Sequence, residues 1–150
     1  MTPASQTDGS PAPPQPPSLV SRCPGCGAVL AAVPGLEARH PGASPACTRL
    51  FDVTVRGLRD EAPSDLRAAN LVELAGTAYD AQHTPDAAAL HRLRDALGEG
   101  ARRPVRSSRP ELWRTTIADV AADLDVVDLP VLLRSWAQAV SADWAGEAPA

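Results

Sequence analysis

At residues 23–27 the chain reads Cys-Pro-Gly-Cys-Gly, and its only cysteine beyond Cys23 and Cys26 is Cys47. Two thiolates two residues apart, with a glycine after the second, can wrap a tight backbone turn around one soft metal ion. An odd number of cysteines with two closely spaced favours metal binding over a disulfide framework. The sequence therefore predicts a zinc knuckle, with zinc as the cofactor.

The composition favours helices. The apolar fraction of the 150 residues is 44%, but only three Trp, one Tyr and one Phe are present. A core made of Ala, Leu and Val suits closely packed helices better than a β-sandwich or barrel, which favour β-branched and aromatic residues. The predicted fold class is all-α: a small helical bundle of about five helices with an N-terminal zinc-knuckle cap and a disordered N-terminal arm.

Capping signals and helical spacing of apolar residues place these helices. Serine, threonine and aspartate before a proline or an apolar run mark the starts, and Gly98 marks one end. The predicted helices run from Pro45 to Arg59, from about Ser64 to His83, from Thr84-Pro85 to Gly98, from Thr116, and from Asp128 to beyond Trp144.

The distribution of proline divides the chain into two regions. Residues 1–21 contain six prolines and almost nothing apolar, so they cannot bury enough surface to offset chain entropy and are expected to be a disordered arm. Residues 22–146 are expected to form a single helical domain. A proline-rich arm is also compatible with recognition by another protein, although a solvated tail is the simpler interpretation.

Charge and hydropathy exclude several classes of function. The net charge is −4, which makes nucleic acid an unlikely partner. The absence of an apolar run near the roughly 20 residues that span a bilayer excludes a membrane partner. The absence of a secretory signal pattern leads us to expect a cytoplasmic protein. The oligomeric state stays open.

The three cysteines leave a fourth ligand to be found, because structural zinc usually takes four. The candidates are His40, His83, His91 or a carboxylate. His40 is nearest to Cys47 in sequence. His83 is expected in the last turn of a helix that packs antiparallel to the helix whose first turn holds Cys47, and this would bring the two residues together.

A family resemblance covers the same residues. The knuckle at Cys23, the loop from His40 through Ser44-Pro45 to Cys47, and the segment Tyr79-Asp-Ala-Gln-His83 resemble the bacterial family called domain of unknown function 5946. The resemblance implies that Cys23, Cys26, Cys47 and His83 ligate the metal. It implies a role for His40 as an alternative or outer ligand. It brings no known reaction.

These observations favour an accessory or protein-interaction module with a mainly structural zinc over an enzyme. A first alternative is a small-molecule-binding or metal-dependent enzyme with a pocket near His40, Tyr79, His83 and His91. Tyr79 lies one turn before His83 and could orient a ligand, or it could simply be a core residue. A second alternative is a DNA-binding accessory, since the segment from Thr116 loosely resembles a helix-turn-helix.

Overall fold

The computed structural model describes residues 9, 11, 19–99 and 105–146. Within them the chain forms a small antiparallel hairpin followed by five helices. The elements are β1 (Val20–Arg22), β2 (Val29–Ala31), α1 (Pro45–Glu61), α2 (Leu66–His83), α3 (Ala87–Leu97), α4 (Ile117–Ala122) and α5 (Leu129–Ala145). The prediction of a mostly helical protein with about five helices is confirmed, and the hairpin adds a small two-stranded sheet that the all-α prediction did not include.

Most of the predicted arm, residues 1–21, lies outside the described residues. Its last two residues, Val20 and Ser21, belong to β1. Regular structure therefore begins before residue 22, where the domain was expected to start.

The hairpin is short and is organised around its turn. β1 and β2 have three residues each, with Val20 opposite Ala31 and Arg22 opposite Val29. The backbone N–H of Cys23 donates to the carbonyl of Ala28 at 2.9 Å and continues the pairing into the turn. Three residues hold less than two periods of side-chain alternation, so the sequence carried no detectable strand pattern.

Side-chain caps explain where the helices begin. Ser44 caps α1 by accepting a hydrogen bond from the backbone N–H of Cys47 at 3.1 Å. Thr116 caps α4 in a reciprocal box with Asp119, whose carboxylate accepts from the backbone N–H of Thr116 at 2.8 Å. Both starts match the sequence prediction, because cap residues act through local hydrogen bonds.

The predicted start of α3 is wrong by about two residues. Asp86 is the cap, and its carboxylate accepts from the backbone N–H of Ala88 at 2.9 Å. Thr84 instead ends α2, with its N–H donating to the carbonyl of Asp80. Because a carboxylate at a helix N-terminus also complements the helix dipole, Asp86 is a stronger cap than Thr84.

Helix α2 packs against α1, α3 and α5. Its side chains Ala75, Ala78 and Ala81 are fully buried, and their small size lets the neighbouring helices approach closely. Trp136 and Trp144 of α5 are 0% and 1% exposed. Sequence alone left open whether they pack internally or against another subunit, and the structure places both in the core of this chain.

No helix in the described part of the chain is long and apolar enough to cross a membrane.

Candidate metal centre

Cys23 and Cys26 lie in the turn between the two strands. The carbonyl of Cys23 accepts a hydrogen bond from the backbone N–H of Gly27 at 2.9 Å. Gly27 has a φ of 78°, in the left-handed region where glycine is favoured because it has no Cβ. This turn buries both sulfurs, since Cys23 is 1% and Cys26 is 5% exposed.

Cys47 lies in the first turn of α1 and is fully buried. The hydroxyl of Ser44 holds its backbone N–H, while the backbone N–H of Ser44 donates to Sγ of Cys23 at 3.4 Å. The cap of α1 therefore also joins this helix to the hairpin. A helix N-terminus favours negative charge, which suits a thiolate at this position.

His83 is the last residue of α2 and is fully buried. Its Nδ1 lies 2.7 Å from the carbonyl oxygen of Tyr79. A carbonyl can only accept, so Nδ1 carries the proton, and Nε2 of the neutral ring offers its lone pair on the opposite side. Nε2 lies 3.5 Å from Sγ of Cys47. Metal-binding histidines are commonly oriented in this way by a backbone carbonyl.

Together, Cys23, Cys26, Cys47 and His83 form one buried cluster whose ligand atoms all lie within 4.8 Å of one another. Tetrahedral zinc, with bonds of about 2.3 Å to sulfur and about 2.0 Å to nitrogen, separates two sulfurs by about 3.8 Å and sulfur from nitrogen by about 3.5 Å. The distances are 3.8 Å between Sγ of Cys26 and Sγ of Cys47, and 3.5 Å between Sγ of Cys47 and Nε2 of His83. These two distances suit tetrahedral coordination of one metal ion by the cluster.

Two glycines allow the hairpin and the loop before α1 to approach His83. A Cβ on Gly42 would collide with the backbone carbonyl of His83, and a Cβ on Gly25 would collide with its imidazole ring and with the carbonyl of Gly42. Both positions therefore require glycine for space rather than for an unusual φ. The central glycine of the knuckle is thereby explained by packing.

Hydrogen bonds among the three cysteines shift their pKa values in opposite directions. Hydrogen bonds from Cys26 and then Cys47 hold the pKa of Cys23 far below its usual range. The hydrogen bond to Cys23 raises the pKa of Cys26 to about 11, and hydrogen bonds to Cys23 and Cys26, together with burial, raise the pKa of Cys47 further. A bound cation would favour deprotonation of all three thiols.

Tyr79 lies directly against the cluster. Its hydroxyl donates to Sγ of Cys47 at 3.5 Å and lies 3.4 Å from the hydroxyl of Thr48. Burial, and then the hydrogen bond to Cys47, raise the pKa of Tyr79 above its usual range. The phenol therefore stays protonated and acts as a hydrogen-bond donor to a sulfur.

His40 and His91 lie outside the four-residue cluster. The ring of His40 is 5.8 Å from that of His83, centroid to centroid. Its Nδ1 accepts from the backbone N–H of Gly42 at 3.1 Å, so Nε2 carries the proton and faces a carboxylate oxygen of Asp80 at 3.2 Å. Both ring nitrogens of His40 are thus engaged. His91 is exposed on α3.

Sequence reasoning missed the residues that hold the end of α2 in place. The indole N–H groups of all three tryptophans donate hydrogen bonds to residues near the cluster. Trp113 donates to the carbonyl of Gly25 at 2.9 Å. Trp144 donates to the carbonyl of Ala81 at 2.7 Å, and Trp136 donates to the side chain of Gln82 at 3.3 Å. The sequence offered one signal for these bonds, which was that aromatic residues are scarce. A buried indole N–H needs a hydrogen-bond acceptor.

A small cavity of 280 Å³ opens beside the cluster. Its lining includes His40, His83, Thr84 and Arg109. Two of the four residues predicted to form a small-molecule pocket therefore meet at one cavity. Tyr79 and His91 do not line it.

The segment that resembles a helix-turn-helix has an acidic surface. Asp123, Asp125 and Asp128 are exposed between α4 and the start of α5. Phosphate would be repelled there. Residues 101–104, which include two arginines of the preceding loop, lie outside the described residues.

Comparison with known proteins gives one match. The model of a family of unknown function, DUF5946, matches residues 84–145, and this confirms the predicted resemblance to that family. The matched stretch begins directly after His83 and contains α3, α4 and α5. Neither the curated proteins nor the solved structures contain a match.

Proposed function

We propose that Cys23, Cys26, Cys47 and His83 hold one zinc ion whose role is mainly structural. The observation that carries this proposal is the buried cluster with all ligand atoms within 4.8 Å, at spacings that suit tetrahedral zinc. The carbonyl of Tyr79, which fixes the ring of His83, and the phenol of Tyr79, which reaches Cys47, support it further.

A structural role follows from the completeness of the donor set. Four protein ligands fill a tetrahedral zinc and leave no position for a substrate or water. The ligands come from the hairpin, the first turn of α1 and the last turn of α2, so the ion would join three separate elements. Structural zinc contributes on the order of 10 kcal/mol to the folding of small domains.

On this account the protein is an accessory or protein-interaction module built as a single domain over residues 22–146. Three reduced cysteines fit a reducing compartment, which supports the expectation of a cytoplasmic protein.

The test is metal content and melting temperature of the purified full chain, with Cys47→Ser beside the exposed control His91→Ala. We expect about one zinc per chain in wild type and in the control, and loss of zinc with a lower melting temperature in Cys47→Ser. Protein that holds no metal, together with an unchanged melting temperature in Cys47→Ser, would refute the proposal.

The cavity beside His83 supports a second candidate, a small-molecule or metal-dependent catalytic site at His40 and His83. It would require the metal to have an open position facing the cavity. X-ray absorption at the zinc edge distinguishes the two. Three sulfurs and one nitrogen favour the structural site, and an oxygen ligand in place of a protein donor favours the catalytic one.

A further inference from the structure

A larger groove lies between α2, α3 and α5, and none of the four cluster residues lines it. Its volume is 870 Å³, within the range of small-molecule sites. Leu71 and Leu74 of α2 and Ala96 of α3 supply its apolar lining. The groove therefore offers an apolar surface to the carbon part of a ligand.

Three arginines from three helices line this groove. Arg67 belongs to α2, Arg92 to α3 and Arg134 to α5, and all three are exposed. In the described part of the chain no carboxylate lies within ion-pair distance of any of them. Their guanidinium groups are therefore available to a ligand.

Some arginines elsewhere in the described residues are paired with carboxylates. Asp52 accepts from both Arg39 and Arg59, and Asp143 accepts from Arg114 at 2.6 Å. The groove thus differs from these regions in its charge balance. Within the described residues, the groove brings three unpaired arginines together on a chain whose net charge is −4.

Two carboxylates also line the groove, Glu73 of α2 and Asp95 of α3. Three arginines and two carboxylates leave one positive charge in excess. Since neither carboxylate pairs with an arginine of the groove, the charges are separated, and an anion can approach the guanidinium groups without first breaking an ion pair.

We propose that this groove binds a small anionic ligand through a phosphate or carboxylate group held by Arg67, Arg92 and Arg134. The planar guanidinium fork matches the oxygens of both groups and can donate two parallel hydrogen bonds to either. Leu71 and Leu74 pack against the carbon part of the ligand. The proposal does not depend on the zinc site.

The test is isothermal titration of the full chain with inorganic phosphate and with citrate, each against sodium chloride at matched ionic strength. The variants are Arg92→Gln and Arg134→Gln, with Arg56→Gln as control. Arg56 is exposed on α1 outside the groove, and glutamine keeps helix propensity close to that of arginine. Metal content is measured in every variant as a check on the fold.

We expect phosphate or citrate to bind more tightly than chloride, and each groove variant to weaken that binding about tenfold, as for loss of a charge-assisted hydrogen bond. Arg56→Gln should bind like wild type, and the preferred anion identifies the chemical group. Binding no tighter than chloride, equal loss in Arg56→Gln, or unchanged binding in both groove variants would overturn the proposal.

Discussion

His83 is restrained on several sides. The carbonyl of Tyr79 holds its imidazole ring. Gly42 packs against its backbone, and Gly25 packs against its ring. A side chain with so little freedom loses little conformational entropy on binding a metal, which favours affinity. The two glycines therefore help to hold His83 in position for the metal.

Gly42→Ala should weaken metal binding and lower the free energy of unfolding. The new methyl group would collide with the carbonyl of His83, and moving α2 or the loop would displace His83 from the cysteines. Forced overpacking of this kind costs about 1–3 kcal/mol. Competition with a chromophoric chelator and urea unfolding measure the two effects.

The matched control is Gly57→Ala in the interior of α1. A Cβ at Gly57 meets no atom within 4 Å, so alanine should stabilise the protein by about 0.5–1 kcal/mol through helix propensity. Equal metal affinity in the two alanine variants would show that the close approach of Gly42 to His83 is unimportant.

Tyr79→Phe should keep the metal and lose a modest amount of stability. The change removes the hydrogen bonds of the hydroxyl with Cys47 and Thr48, worth about 1 kcal/mol, while the ring stays stacked on Phe51, with 4.3 Å between centroids. Thermal unfolding with metal analysis measures both. Loss of the metal in this variant would make Tyr79 essential to the site and contradict its supporting role.

At the scale of elements, the hairpin makes a hydrogen bond with a residue far along the chain. Trp113, in the connection between α3 and α4, donates its indole N–H to the carbonyl of Gly25. This bond ties the turn of the hairpin to the helical part of the protein. It joins residues 88 positions apart in the chain, so it was invisible to sequence patterns.

Trp113→Phe should destabilise the hairpin more than the helices. Phenylalanine keeps most of the apolar contact and removes the donor, which costs about 1 kcal/mol. Hydrogen exchange should show faster exchange at the backbone N–H groups of Cys23 and Gly27. The neighbouring Leu112→Ala, at an 80% exposed position, is the control, and equal acceleration in it would argue against the indole bond.

The helices were more predictable than the hairpin because their signals are local. Ser44 and Thr116 cap through hydrogen bonds within three residues, so their sequence context is sufficient. The start of α3 was misplaced because Thr84 is also a good cap residue, but it ends α2 and leaves Asp86, the stronger cap, to begin α3. The strands were missed because the turn, rather than side-chain alternation, organises them.

At the scale of the whole molecule, two centres hold the chain. One is the metal-ligand cluster, and the other is the part of the same hydrophobic core around Leu90, Leu93, Leu133 and the two tryptophans of α5. The cysteine spacing predicted the first centre, and helical periodicity predicted the second. Sequence alone could not choose between His40 and His83, because that choice depends on the antiparallel packing of α1 and α2.

Removal of zinc by a chelator should unfold the hairpin and the start of α1 before the other helices unfold. The core of α2, α3 and α5 keeps its own apolar contacts, so much of the helical circular dichroism should remain while the melting temperature falls. Because the ligands must be deprotonated to bind, acid should release the metal in the same way. A chelator-treated protein with unchanged melting would contradict a structural metal.

The most direct test is zinc content per chain, by elemental analysis, in wild type, Cys23→Ser, His83→Ala and His40→Ala. The account predicts about one zinc per chain in wild type and His40→Ala, and its loss in Cys23→Ser and His83→Ala. Zinc retained in His83→Ala would contradict the assignment of the fourth ligand and with it the closed structural site.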